Sequence, residues 1–167
     1  MMIELLILRF VHIVGGVFWV GSGLFSLFFL APALAQMGVG AAPLVKNLER
    51  RKLFVVLPTI ALLTMLSGIR LMSLTGGMSR YMATTGGKAY VVGAIAAVVA
   101  FFVSVIVSRP SAVRASHLSQ AAASDELSRS RLAAEIRALQ RRVTWSSVLA
   151  VALLFVAAAL MAVARYL

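Results

Sequence analysis

The chain has 167 residues, 62% of them hydrophobic and 13% charged, with a mean hydropathy of +1.00. Soluble domains run at ~45–50% apolar and ~25% charged, and at this size leave roughly a third of their chain surface in water. A soluble globular fold and a disordered chain are therefore both excluded, and an integral membrane protein remains. The net charge of +11 comes with no basic–aromatic motif for nucleic acid. The basic residues sit between apolar runs, where they meet anionic headgroups. The absence of cysteine rules out disulfides, thiolate metal sites and cysteine nucleophiles. Five acidic residues leave little for a carboxylate metal site or a paired-carboxylate hydrolase.

Four apolar runs reach the ~20 residues that a bilayer crossing needs. They cover about Leu5–Ala35, Leu53–Leu74, Lys88–Val107 and Val143–Ala164. Ala33-Leu34-Ala35 has the form of a signal-peptidase site, but the apolar run before it is too long for a signal h-region and Glu4 stands where basic residues belong. A retained first span is expected. Pro58 starts or kinks the second span. Gly86-Gly87-Lys88 is no phosphate loop, because the upstream glycine is missing and Ala89 replaces the magnesium-binding hydroxyl.

The connection before the fourth span has a helical pattern of its own. Ser124 fits an N-cap, Asp125 and Glu126 suit a first turn, and Leu132, Ile136, Leu139 and Val143 follow at helical spacing. The fourth span is expected to be the end of one long helix that begins outside the bilayer. This extension is either a docking surface for a partner or anionic lipid, or a solvated segment that packs on the first connection. Trp145 starts the fourth span at the interface, an ordinary place for tryptophan.

Eleven Lys and Arg lie in the first and third connections: Lys46, Arg50, Arg51, Lys52, Arg109, Arg114, Arg129, Arg131, Arg137, Arg141 and Arg142. The opposite side holds Arg9, Arg70, Arg80, Lys88 and Arg165. The richer side is expected in the cytoplasm, with both termini outward, in the periplasm of a bacterium. Taken together, an all-α fold is expected: a single domain over residues 1–167, an antiparallel integral membrane four-helix bundle with an amphipathic cytoplasmic extension before the fourth span.

Ionisable groups inside a span are costly unless satisfied, so they mark candidate sites. His12 lies within the first span, and Gly16, Trp19 and Gly23 follow it by four, seven and eleven residues on one helical face, with Gly15 beside it. Small residues there either let another helix approach or leave a flat recess beside the imidazole. Neutral imidazole is a common haem-iron ligand; the alternative is a histidine that hydrogen-bonds a neighbouring helix. Trp19 lies deeper than the interface belt and needs a partner for its N–H. His117 is expected on the surface. Met65, Met72, Met78 and Met82 are candidate axial ligands by type only.

The run His12-Ile13-Val14-Gly15-Gly16-Val17-Phe18-Trp19-Val20-Gly21 reads H-x-x-G-G-x-x-W-x-G. It resembles the first span of small four-span bacterial membrane proteins: copper resistance D-type domains, membrane-embedded protoporphyrinogen oxidases and uncharacterised relatives. In the oxidase branch the resemblance implies haem b held through His12, and Lys88 matches a lysine typical of the group at the start of the third span. Thr84 and Thr85 depart from the oxidase branch, where an aromatic residue is expected. Lys88, Arg9 and Arg70 are candidates to pair with haem propionates. The expected function is haem-b binding with a redox or haem-metabolism role. A non-catalytic membrane subunit and a copper-handling protein are the alternatives. No catalytic residue set is visible, and a homo-oligomer in which each protomer supplies a histidine fits a chain this small.

Overall fold

The computed structural model describes residues 1–37, 41–120 and 126–167, and every element among them is helical. In lipid the backbone has no water to bond, so each span satisfies its own N–H and C=O groups as a helix. The first helix, α1, covers Met2–Met37, and the amphipathic α2 covers Ala42–Arg50 in the first connection. The second span, α3, covers Leu53–Leu74, and the short α4 covers Gly77–Met82. The third span, α5, opens over Thr85–Phe102 and continues through Val103–Ser108 to Arg109–Gln120. The last helix, α6, runs unbroken for 38 residues over Glu126–Val163. Four of these are long and apolar enough to cross a membrane, so the chain is an all-α bundle of membrane-spanning helices. The expected long final helix is present; Ser124 and Asp125 lie outside the described residues.

Two features differ from the expected boundaries. α1 and α5 each contain a π turn, over Ser26–Leu30 and Val103–Ser108. Each turn closes two residues before a proline, Pro32 and Pro110. A proline cannot donate to the carbonyl four residues back, and its ring crowds that carbonyl. The chain answers by widening one turn, with Ala31 N–H reaching Ser26 O and Arg109 N–H reaching Ser104 O. The helix therefore survives the proline, and α5 runs well beyond Val107. That continuation is what the α6 extension packs along, with Arg114 and Glu135 paired at 2.7 Å. Among the described residues the extension thus lies on α5 rather than on the first connection.

The spans form two antiparallel hairpins. In the first, α1 lies along α3, with Glu4 beside Arg70 at one end and Gly15 against Thr64 further in. In the second, α5 lies along α6 through a seam of buried small residues. Gly86, Ala89, Gly93, Ala96 and Ala100 recur at alternating steps of three and four, facing Ser146, Ala150, Leu154, Ala157 and Ala164. Small side chains let the backbones close up, which is how helices associate where lipid is as apolar as leucine. A Cβ on Gly93 would lie 3.2 Å from the Ala157 carbonyl oxygen, and one on Gly86 would collide with the Ala164 carbonyl. Ser108 and Ser146 hydroxyls meet at 2.8 Å near the other end. The hairpins join through Trp19, which lies edge-on to Phe101 with ring centroids 6.3 Å apart, and through Gly23 against Val151 and Leu154. No residue of α1 is buried. Of the four spans, the one that carries His12 is thus the least enclosed by the rest of the protein.

Candidate functional site

His12 faces α3. Its Nδ1 lies 2.7 Å from the Thr64 carbonyl oxygen. A carbonyl only accepts, so Nδ1 carries the proton, and in the neutral ring Nε2 keeps its lone pair. The ring fits against α3 because residue 68 is glycine: a Cβ there would lie 2.7 Å from His12 Cε1 and 3.0 Å from Nδ1. The receiving strip of α3 is polar within an apolar helix. Ser67 Oγ donates to the same Thr64 oxygen at 2.9 Å, and Thr64 Oγ1 donates to Ile60 O at 2.8 Å. Thr64 and Ser67 are both buried.

Nε2 has no hydrogen-bond partner among the described residues, and no fully enclosed side-chain nitrogen or oxygen among them lacks one. Nε2 therefore keeps access to the outside of the helix pair. The same reasoning holds for the indole N–H of Trp19, two turns further along the same face of α1. His12 Nε2 thus keeps a lone pair and Trp19 a donor N–H without a hydrogen-bond partner among the described residues.

The glycines near His12 are engaged. A Cβ on Gly15 would run into Thr64 Oγ1, and one on Gly16 would touch Thr64 Cγ2 at 3.8 Å. The face around Gly15 therefore receives α3 rather than forming an open recess. An apolar groove of about 240 Å³ does open beside Gly15, lined by Phe10, Val14, Phe18, Ile60 and Leu63, but His12 does not line it.

No family model, curated protein or solved structure matches the chain.

The site's own chemistry then carries the reading. Arg9 is exposed on α1, one turn from His12, and makes no ion pair among the described residues. Arg70 is held by Glu4, with Nη2 and Nε at 2.7 and 3.0 Å from one carboxylate oxygen. Lys88 stands in the first turn of α5 and is exposed. Phe101, which meets Trp19, and Ala97, which packs on the same buried cluster as Trp19, lie thirteen and nine residues on, nearly opposite Lys88 around the helix. The structure therefore sets His12, Gly15 and Gly16 against α3 and Trp19 against α5 and α6, and leaves Lys88 on another side of α5. His117 is exposed on the α5 continuation, and Trp145 is exposed on α6. Among the described residues no three His, Cys, Asp or Glu side chains gather as a metal-ion cluster. Thr84, found where an aromatic residue was expected, caps α5 by accepting from Gly87 N–H at 3.0 Å.

Thr64, Ser67 and Gly68 were missed by reasoning from ionisable residues alone. Their signal was present: two hydroxyls and a glycine within five residues of an otherwise apolar span, which is what interhelical contact selects.

Proposed function

We propose that this chain is a haem-b-binding integral membrane protein with a redox or haem-metabolism role, with His12 Nε2 as the iron ligand. One observation carries the reading: the Nδ1–H of His12 is committed to a backbone carbonyl. Metal-ligating histidines donate their other ring nitrogen in this way, which fixes tautomer and ring orientation and raises ligand basicity. Thr64 supplies that acceptor and Gly68 supplies the space for the ring. Arg9 is the unpaired cation nearest along α1 and suits a carboxylate partner. When bound, haem would supply the electron-transfer chemistry, and this chain would supply the His12 ligand, held in one tautomer by Thr64. The motif around His12 supports the same reading through its resemblance to the membrane-embedded protoporphyrinogen oxidase branch of small four-span proteins.

The excess of Lys and Arg in the first and third connections supports a bacterial inner-membrane placement with both termini in the periplasm. The same basic collar is suited to anionic headgroups of the cytoplasmic leaflet. A homo-oligomer would bring a second His12 as a further ligand.

A second reading is a non-catalytic membrane subunit in which His12 and the glycines only fit helices together. It is favoured by the close approach of Gly15 to Thr64, which leaves no room for a Cβ there. The absorption spectrum of detergent-purified protein separates the two. A Soret band that shifts on dithionite reduction is the expected result; no visible absorption from cells supplied with haem would leave the subunit reading.

A further inference from the structure

An apolar groove of about 230 Å³ lies between α3, α4 and α5, lined by Met72, Met78, Val91, Ala94, Ile95 and Val98, with Val99 at its far end. Three separate elements converge on it. From Val91 to Val99 it extends about 12 Å along α5, close to the ~15 Å half-thickness of a bilayer core. Its depth therefore matches one leaflet. Lys88 stands one turn closer to the helix start than Val91 and on the same side of α5 as Val91, Ile95 and Val99. It is exposed and has no carboxylate within ion-pair distance among the described residues. A lysine at this depth lays its methylenes on apolar surface and lifts its ammonium toward the headgroups.

We propose that this groove is a binding site for one anionic phospholipid of the leaflet at the Lys88 end, with an acyl chain between Met72 and Val91–Val99 and the phosphate held by Lys88. The other groove, between α1 and α3, provides the contrast. Arg9 lies roughly half a turn around α1 from Val14 and Phe18, so that groove has no cation on its own side. The α3–α5 groove pairs an apolar slot with a positive charge at its headgroup end, and charge complementarity is what distinguishes a lipid held there from one passing by. This assignment does not depend on haem.

The test uses the full-length protein in nanodiscs of phosphatidylcholine with trace phospholipid carrying a photoreactive group in its acyl chain, as phosphatidylglycerol or as phosphatidylcholine. Cross-linked residues are mapped by peptide mass spectrometry. Phosphatidylglycerol is expected to label Met72 and the Val91–Val99 stretch about fivefold more than phosphatidylcholine, the preference that one basic residue gives. The Phe10–Phe18 groove is expected to show no preference. Lys88→Gln should abolish the preference, Lys88→Arg should keep it, and Ala94→Phe should remove labelling of the groove by both lipids. Equal labelling by the two lipids in the wild type, or a preference that survives in Lys88→Gln, would overturn the proposal. Circular dichroism of each variant confirms that a lost preference is read on folded protein.

Discussion

His12 and Thr64 are tied across the first hairpin by a 2.7 Å hydrogen bond between an imidazole nitrogen and a backbone carbonyl. The acceptor is main chain, so no substitution at position 64 removes it. Its geometry is set instead by how closely α1 approaches α3, and that approach depends on Gly15 and Gly68.

Gly68→Ala puts a Cβ 2.7 Å from His12 Cε1. The ring must move, and overpacking of this kind costs ~1–3 kcal/mol. Thermal unfolding in detergent should show the loss. In a His12→Ala background the same substitution should cost little, because the clash partner is gone. A double-mutant cycle in which the two changes simply add would contradict the contact.

The α5–α6 seam predicts a contrast between two glycines. Gly93→Val should lower the unfolding midpoint clearly, because its Cβ meets the Ala157 carbonyl at 3.2 Å and the added methyls have no room. Gly21→Ala should be neutral or stabilising, by up to ~1 kcal/mol, because nothing lies within 4 Å of a Cβ there and alanine is the better helix former. Equal destabilisation by both would mean that the seam does not hold the hairpin together.

Much of this architecture was legible in the sequence. Length and hydropathy mark the four spans, because a bilayer imposes one scale on every crossing. The long α6 was readable from the spacing of Leu132, Ile136, Leu139 and Val143. The continuation of α5 past Val107 was not, since Arg109-Pro110 reads as a stop, and only the π turn at Val103–Ser108 lets the helix pass it. His12 stood out as an ionisable group in an apolar run. Its partner did not, because a backbone carbonyl 52 residues away has no side-chain signature. The seam on α5 was hidden for a related reason: alanine and glycine in an apolar run look like filler until a second helix lies against them.

Membrane orientation has a direct check, aided by the absence of native cysteine. Single cysteines at positions 50 and 137 should resist an impermeant maleimide in intact cells, and a cysteine at position 79 should react. Reaction at 50 and 137 would reverse the orientation.

The central claim is that His12 is an iron ligand. The most direct measurement is the dithionite-reduced minus oxidised absorption spectrum of purified wild-type and His12→Ala protein at equal helical content. The wild type should show a Soret shift and α and β bands. His12→Ala should lose them while its far-ultraviolet circular dichroism stays unchanged. In a packing-only role His12→Ala would cost a hydrogen bond of ~0.6 kcal/mol with no spectral consequence. A His12→Ala protein that retains a full, reducible haem spectrum would contradict the assignment.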